Sequence, residues 1–429
     1  MILEFSIENT YSIKEKQTIS FEASKSDVVD EKHTIATMCD DRRLLKFACI
    51  YGANGAGKTN LLEAFDFYVD FIVNSFIQKR PGDRTGFIPF EFCENAKTSC
   101  GAFNVVFYAP LFSDESKNVK YIYDLCLTRD CVVAESLRYS PKGQSKLIFA
   151  RTENSIHWGS DVSGPKKVIE KMVRSNCSLL GVGAQTNQVI LSFIYTHFAK
   201  RVKGSSSRIS SSINEYFKLV DENADYKKKV LGLLNSFDFG SVSEIKVDSR
   251  KYPPEVLEML PQEVKDELKN GRAEEPLLRL ARFIHSYNGV DYPLSFSWES
   301  SGTKKVFELT QLLIFASDSS VLIVDELERS LHPDIVEAFL KLVLEISGDS
   351  QLLFVTHNQD LLDSDLLRDD EVWFCYKTDK GNSIYRSIIS YTGIRKEASR
   401  KKLYKSGKFG SLPSIDYESL RSLFQNTLA

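Results

Sequence analysis

The chain has 429 residues, 42% of them hydrophobic and 26% charged, enough to bury a substantial core and long for one compact domain. Lys and Arg number 55 against 58 Asp and Glu, and the net charge of −3 gives no support for bulk electrostatic attraction to nucleic acid, so any such binding must come from a local patch. No run approaches the ~18 apolar residues of a membrane-spanning helix, and residues 2–7 enter an alternating strand with no signal peptide, so a cytoplasmic, membrane-free protein is expected.

Residues 1–50 read as two or three short strands separated by polar turns. The last of them, residues 44–51, is a short apolar run that reads as a buried strand. Residues 52–59 then read Gly-Ala-Asn-Gly-Ala-Gly-Lys-Thr, which fits G-x-x-x-x-G-K-[ST], a phosphate-binding loop. Gly52, Gly55 and Gly57 let the backbone turn tightly and aim its N–H groups at phosphate oxygens. A helix starting near Gly57 adds the positive end of its dipole. Lys58 reaches the outer phosphates and Thr59 holds magnesium. The expected nucleotide contacts are Gly52, Ala53, Asn54, Gly55, Ala56, Gly57, Lys58, Thr59 and Asn60. The alternative is a chance glycine-rich turn, but a strand precedes the motif and residues 60–68 continue with helical spacing to about Gln78.

Residues 88–150 alternate apolar and polar and read as an antiparallel β region with a turn at Lys142 and Gly143. Residues 165–290 are helix-rich, with breaks at residues 204–207 and at Pro253 and Pro254. They are too short and too interrupted for long heptads, so a compact helical insertion is expected. One apolar-faced helix is expected over residues 179–198 and another over 256–268, both explained by core packing. The chain should return to the first domain near Leu294, and residues 294–390 should complete a parallel sheet.

Three polar constellations lie in that return. Ser300, Ser301 and Gly302 open a helical pattern, offering a hydroxyl and N–H groups to an anion, although Ser-Gly turns are common. Residues 321–326, Val-Leu-Ile-Val-Asp-Glu, form a hydrophobic strand ending in two acids. There Asp325 can reach a magnesium shell and Glu326 can act as general base on water. Residues 352–357 repeat an apolar strand with a polar tip, His357, read as a γ-phosphate sensor against a purely structural role. The tail holds Arg395, Lys396, Arg400, Lys401, Lys402, Lys405 and Lys408, either a solvated face or a patch for nucleic acid or a partner. The eight cysteines lack zinc-ligand spacing and read as reduced thiols, several of them buried.

The order of phosphate loop, Ser-Gly segment, Asp-Glu strand, the loop 327–333 and then His357 resembles the ABC ATPases. Segments 1–9, 89–92, 299–303, 325–333, 370–374 and 404–413 narrow the resemblance. They are similar to the SMC/RecF-like branch and, within it, to OLD-type ATPases of anti-phage abortive-infection systems. AbiL/RloA-like ATPases fit best, with the ATPase of the PARIS system next. Relatives often carry an Arg near the start where this chain has Tyr11, a ring able to stack on adenine, and no Q-loop glutamine is assigned, the segment around Pro89 being only a candidate.

The resemblance implies an α/β fold: an ABC-type P-loop head with an antiparallel β-subdomain and a helical insertion. The expected boundaries are 1–164 and 294–429 for the two halves of the head and 165–293 for the insertion. It also implies a homodimer or higher even-numbered oligomer with composite ATP sites, in which Ser300, Ser301 and Gly302 of one subunit close on the nucleotide of the other. ATP and Mg2+ are the implied cofactors, and a separate Toprim-like or other nuclease or toxin effector is the implied partner. The expected function is that of an ATP-hydrolysing sensor in anti-phage defence. A DNA-repair ATPase acting on DNA through a basic channel, and a slow-turnover ATP-dependent scaffold, remain as alternatives.

Overall fold

The computed structural model describes residues 1–25, 30–94, 96, 98–203, 213–237, 239–240, 242–253, 255, 277–316, 320–395, 398–413 and 416–425. They form two compact units, one of residues 1–205, 316–327 and 340–429, the other of residues 206–315 and 328–339.

The first unit holds two sheets. The antiparallel one orders its seven strands β10-β9-β8-β7-β6-β1-β2, where β1 is Ile2–Glu8 and β2 Gln17–Ser20. β6 is Gly101–Leu111, β7 Asp114–Leu127, β8 Val132–Ser140, β9 Lys146–Thr152 and β10 Ile156–Trp158. β3 (Thr34–Ala36) and β4 (Arg43–Leu45) make a small ribbon of their own. Phe103, Val105 and Phe107 are buried while Ala102, Asn104 and Val106 between them are partly exposed, the period-2 pattern of a sheet covered on one face. The tight turn at Gly143 lies between β8 and β9, with φ 79°.

The second sheet runs β11-β15-β16-β5-β17-β18. Here β5 is Phe47–Gly52, β11 Val202–Lys203, β15 Val321–Val324, β16 Gln351–Val355, β17 Val372–Lys377 and β18 Ser383–Ser387. All pairs are parallel except β17 with β18. β5, β15 and β16 are buried at every residue, as strands covered on both faces must be. The helix α1, Lys58–Gln78, shares one core with both sheets through Leu61, Leu62, Phe65, Tyr68, Val69 and Ile72. Each such side chain contributes roughly 1.5–3 kcal/mol on burial. Gln351 ties the sheets together: its side chain accepts from Ile2 N at 2.6 Å and donates to the carbonyls of Ile2 and Leu45.

The second unit contains helices Ile213–Glu222 and Ala224–Ser236 and most of Ser301–Ala316. It also holds an antiparallel sheet of β12 (Val242–Lys251), β13 (Leu277–Tyr287) and β14 (Val290–Ser295). Its core is aromatic: Phe296 lies 5.2 Å from Phe217, 5.5 Å from Phe283 and 5.3 Å from Phe307 between ring centroids.

The α/β class with an antiparallel β-subdomain is the one expected, and several local readings are corrected. The insertion carries a three-stranded sheet beside its helices. Its boundaries fall after residue 205 and after residue 315, not at 165 and 294. The reason is packing: Ile169, Leu179, Leu180, Leu191, Ile194 and Phe198 join the core around α1. The expected helix 179–198 is two helices, Leu179–Gln185 and Val189–Arg201. Asn187 breaks it with φ 56°, and the Gln188 side chain caps the new start by accepting from Leu191 N at 2.7 Å. The expected helix 256–268 lies outside the described residues. Cys100 and Cys126 stand side by side, Cα atoms 6.3 Å apart. The register sets Cys126 opposite Ala102, within reach of Cys100.

Candidate active site

The connection from β5 to α1 is the phosphate loop. It lines a cleft of about 440 Å³ with Asn54, Gly55, Gly57, Lys58, Thr59, Asn60, Asp325, Glu326, Val355, His357 and Lys377. Parallel pairing explains the gathering. β16 lies beside β5 and β15 beside β16, so the residues that follow these strands emerge at one edge of the sheet.

The loop is held from behind by its neighbours. Gly57 has φ 110°, and no side chain caps the start of α1. A Cβ on Gly57 would stand 2.2 Å from Ser383 Oγ and 2.6 Å from Ser12 Oγ, so only glycine fits. Ser383 Oγ donates to Ala56 O and Tyr385 OH to Gly57 O, both at 2.6 Å. Ser12 Oγ lies 2.7 Å from Ser383 Oγ and accepts from Asn60 Nδ2 at 2.7 Å, so the Asn60 amide braces the loop. Gly52, Ala53 and Ala56 do not line the cleft. The buried Lys58 ammonium donates to Gly52 O and Ala53 O at 2.9 Å each, at the base of the loop.

Thr59 Oγ1 donates to Asp325 Oδ2 at 2.9 Å. The other oxygen, Asp325 Oδ1, is buried and has no hydrogen-bond partner among the described residues. Such an orphan costs roughly 1–3 kcal/mol. Glu63, one turn along α1 from Thr59, has its pKa raised by partial burial and then by the charges of Asp325 and Asp66. Hydroxyl and carboxylate oxygens, one unsatisfied and set in a negative field, fit a hard divalent cation such as magnesium. Glu326 follows in the left-handed region at φ 46°, unusual for a non-glycine residue. The next residue is pinned, Leu327 N donating to Val355 O at 3.1 Å. His357 is exposed at the end of β16, and its neighbour Asn358 accepts from Tyr51 OH at 3.0 Å through its carbonyl.

The remaining expected residues are not among those that line the cleft. Ser300, Ser301 and Gly302 belong to the second unit at the start of the helix Ser301–Ala316. Ser301 is exposed, and Ser300 Oγ caps the helix by accepting from Thr303 N at 3.0 Å. Gly302 is buried, and a Cβ there would stand 2.6 Å from the Phe239 ring. Tyr11 does not line the cleft. Its hydroxyl pKa is pushed up to about 12 by burial, then by Glu63 and Asp66. Segment 88–90 serves as a brace, Ile88 O accepting from Tyr11 N and Thr10 Oγ1. The tail is not a continuous cationic face: Arg400 pairs with Asp369 at 2.5 Å and Lys401 with Asp360. Lys402, Lys405 and Lys408 stay exposed, and Lys396 lies outside the described residues. Lys377, Ser383 and Tyr385 had no motif to betray them, only the alternation of a late strand.

Among the described residues no group of three or more His, Cys, Asp or Glu could hold a metal, and no helix is long and apolar enough to cross a membrane. A profile of the family described as "AAA domain, putative AbiEii toxin, Type IV TA system" matches residues 47–159 and 192–363. No curated protein matches the sequence. Solved structures that align include the SMC head domain from Thermotoga maritima, 14% identical with TM-score 0.38, covering 90% of this chain and 98% of that one. An SMC head bound to the C-winged helix domain of ScpA is 13% identical with TM-score 0.37, covering 94% and 99%. An SMC head with an extended coiled coil, bound to the C-terminal domain of ScpA derived from Pyrococcus furiosus, is 13% identical with TM-score 0.39, covering 95% and 98%.

Proposed function

The chain belongs to the AAA-domain family whose profile it matches, and on that premise we propose that it is a magnesium-dependent ATPase of ABC type. One observation carries the reading: the phosphate loop, the Thr59–Asp325 contact, Glu326 and His357 share one cleft. Lys58 and the uncapped start of α1 take the phosphates. Thr59 and Asp325 hold magnesium, which neutralises charge on the β- and γ-phosphates when bound. Glu326 accepts the proton of the attacking water, and its pinned backbone keeps the carboxylate at the cleft. His357 stands at the γ-phosphate end and reports its presence to the segment that follows.

ATP binding joins two subunits through the segment of Ser300, Ser301 and Gly302, whose exposed Ser301 meets the nucleotide of the other subunit, and hydrolysis releases them. The biological reading is a cytoplasmic anti-phage sensor of the AbiL/RloA-like kind, with a separate nuclease or toxin effector as partner. The toxin and Type IV TA wording of the family description supports that setting. The decisive experiment is phosphate release from ATP by the purified chain, its Lys58→Ala and Glu326→Gln variants, with and without magnesium. Turnover that survives both substitutions would sink the assignment.

A further inference from the structure

The β17–β18 hairpin sends four side chains toward the phosphate loop. Cys375 and Lys377 alternate on one face of β17, and the register sets them opposite Tyr385 and Ser383. Three of the four are neutral and end on loop carbonyls: Cys375 Sγ and Ser383 Oγ on Ala56 O, Tyr385 OH on Gly57 O. Lys377 differs. Its Nζ lies 3.3 Å from Gly55 O, at the outer bend of the loop, and it is exposed in the cleft. Holding that carbonyl needs only a neutral donor, as the other three contacts demonstrate, so the charge and the exposure call for a second reason.

Strand order supplies the side on which that charge acts. β15 and β16, which end in Glu326 and His357, lie on one flank of β5, and β17 lies on the other. The scissile end of a nucleotide must face Glu326. The α- and β-phosphates and the nucleoside therefore extend toward β17.

Resting on the nucleotide-site reading above, we propose that Lys377 is a second cation for the phosphates, holding the α/β end common to nucleoside di- and triphosphates. It binds ground state and transition state alike, so it sets affinity and leaves the chemical step to Glu326 and His357. Lys58 is fixed at the base of the loop, whereas Lys377 closes on the ligand from the solvent side. Its contribution is therefore screened by salt.

The test is titration calorimetry with magnesium–ATP and with ADP, on wild type, Lys377→Ala, Lys377→Arg and Lys58→Ala, with steady-state turnover alongside. Lys377→Ala should weaken ATP and ADP by the same factor, about tenfold, the value of one charge-assisted hydrogen bond. KM should rise by that factor while kcat stays within about twofold. Lys377→Arg should recover most of the loss, and the gap should narrow at high salt. Unchanged affinity for both nucleotides would overturn the proposal while leaving the nucleotide site intact. A loss confined to ATP would also overturn it, by moving Lys377 to the γ-phosphate. Wild type that binds no nucleotide, or binds it without need of Lys58, would bring down the underlying reading as well.

Discussion

Two helices in this chain carry a glycine at or beside their first residue in motifs that read alike, and they differ in what the glycine is for. At Gly57 the backbone is left-handed, no side chain caps the helix, and the next residues face a cleft. At Gly302 the helix is already capped by Ser300, and the glycine leaves room for the Phe239 ring. The first start has no side-chain cap, while the second has committed one N–H to its own cap and its glycine to packing. A Ser-Gly pair is thus a weaker signal of anion binding than a Gly-Lys-Thr run, because packing alone can demand it.

The contrast can be broken most directly at Lys58. Lys58→Ala should lower ATP affinity by roughly 100-fold and abolish turnover, since the phosphates lose their buried cation. Equal affinity would make the first helix start as structural as the second. Glu326→Gln should keep ATP binding and cut turnover by roughly 10²–10⁴-fold, because an amide cannot accept the water's proton. Wild-type rates in a phosphate-release assay would remove Glu326 as the base.

At the second helix start, two substitutions separate ligand from packing. Ser301→Arg should leave nucleotide binding by an isolated subunit unchanged and block the association seen by sedimentation with a non-hydrolysable ATP analogue. Association equal to wild type would leave Ser301 without a role between subunits. Gly302→Ala should instead lower stability by about 1–3 kcal/mol in urea unfolding, the range for overpacking. An unchanged midpoint would mean that Phe239 yields freely.

The last prediction concerns pH and belongs to the first unit. His197 has its pKa lowered to about 3 by burial, then by the amino terminus and Arg201. Below its ordinary value near 6.5 the unfolded chain takes up a proton that the folded chain refuses. Stability should therefore fall as the pH drops from about 6.5 toward 3, and His197→Phe should flatten that part of the curve. Parallel stability curves for the two proteins would show that His197 does not drive the loss.

The phosphate loop and the Asp325–Glu326 strand were legible because each pairs a buried strand with a polar tip, and both halves of that pattern are local. The hairpin that braces the loop was not, since Ser383 and Tyr385 acquire meaning only through a strand pairing with no local code. The sheet of β12, β13 and β14 was hidden for a similar reason: its strands are partly exposed and alternate weakly, and β12 and β13 are far apart in sequence. The break at Asn187 had a visible signal, a Thr-Asn-Gln step, outweighed by the apolar stripe on either side. The basic tail shows what composition leaves out, because charges close in sequence can be answered by acids distant in sequence, as Asp360 and Asp369 answer Lys401 and Arg400.

The strand that carries the phosphate loop has an awkward place in the order of synthesis. β5 emerges early, yet its two sheet partners, β16 and β17, are made only after the whole second unit has been translated. Until then its edges have no native partner, and the cleft lacks Asp325, Glu326, His357 and Lys377. ATP therefore cannot template early folding of this protein. Non-local closure of this kind is slow and leaves a hydrophobic strand waiting, so nascent chains should depend on chaperones until β16 and β17 are made and gain nucleotide affinity abruptly at that point.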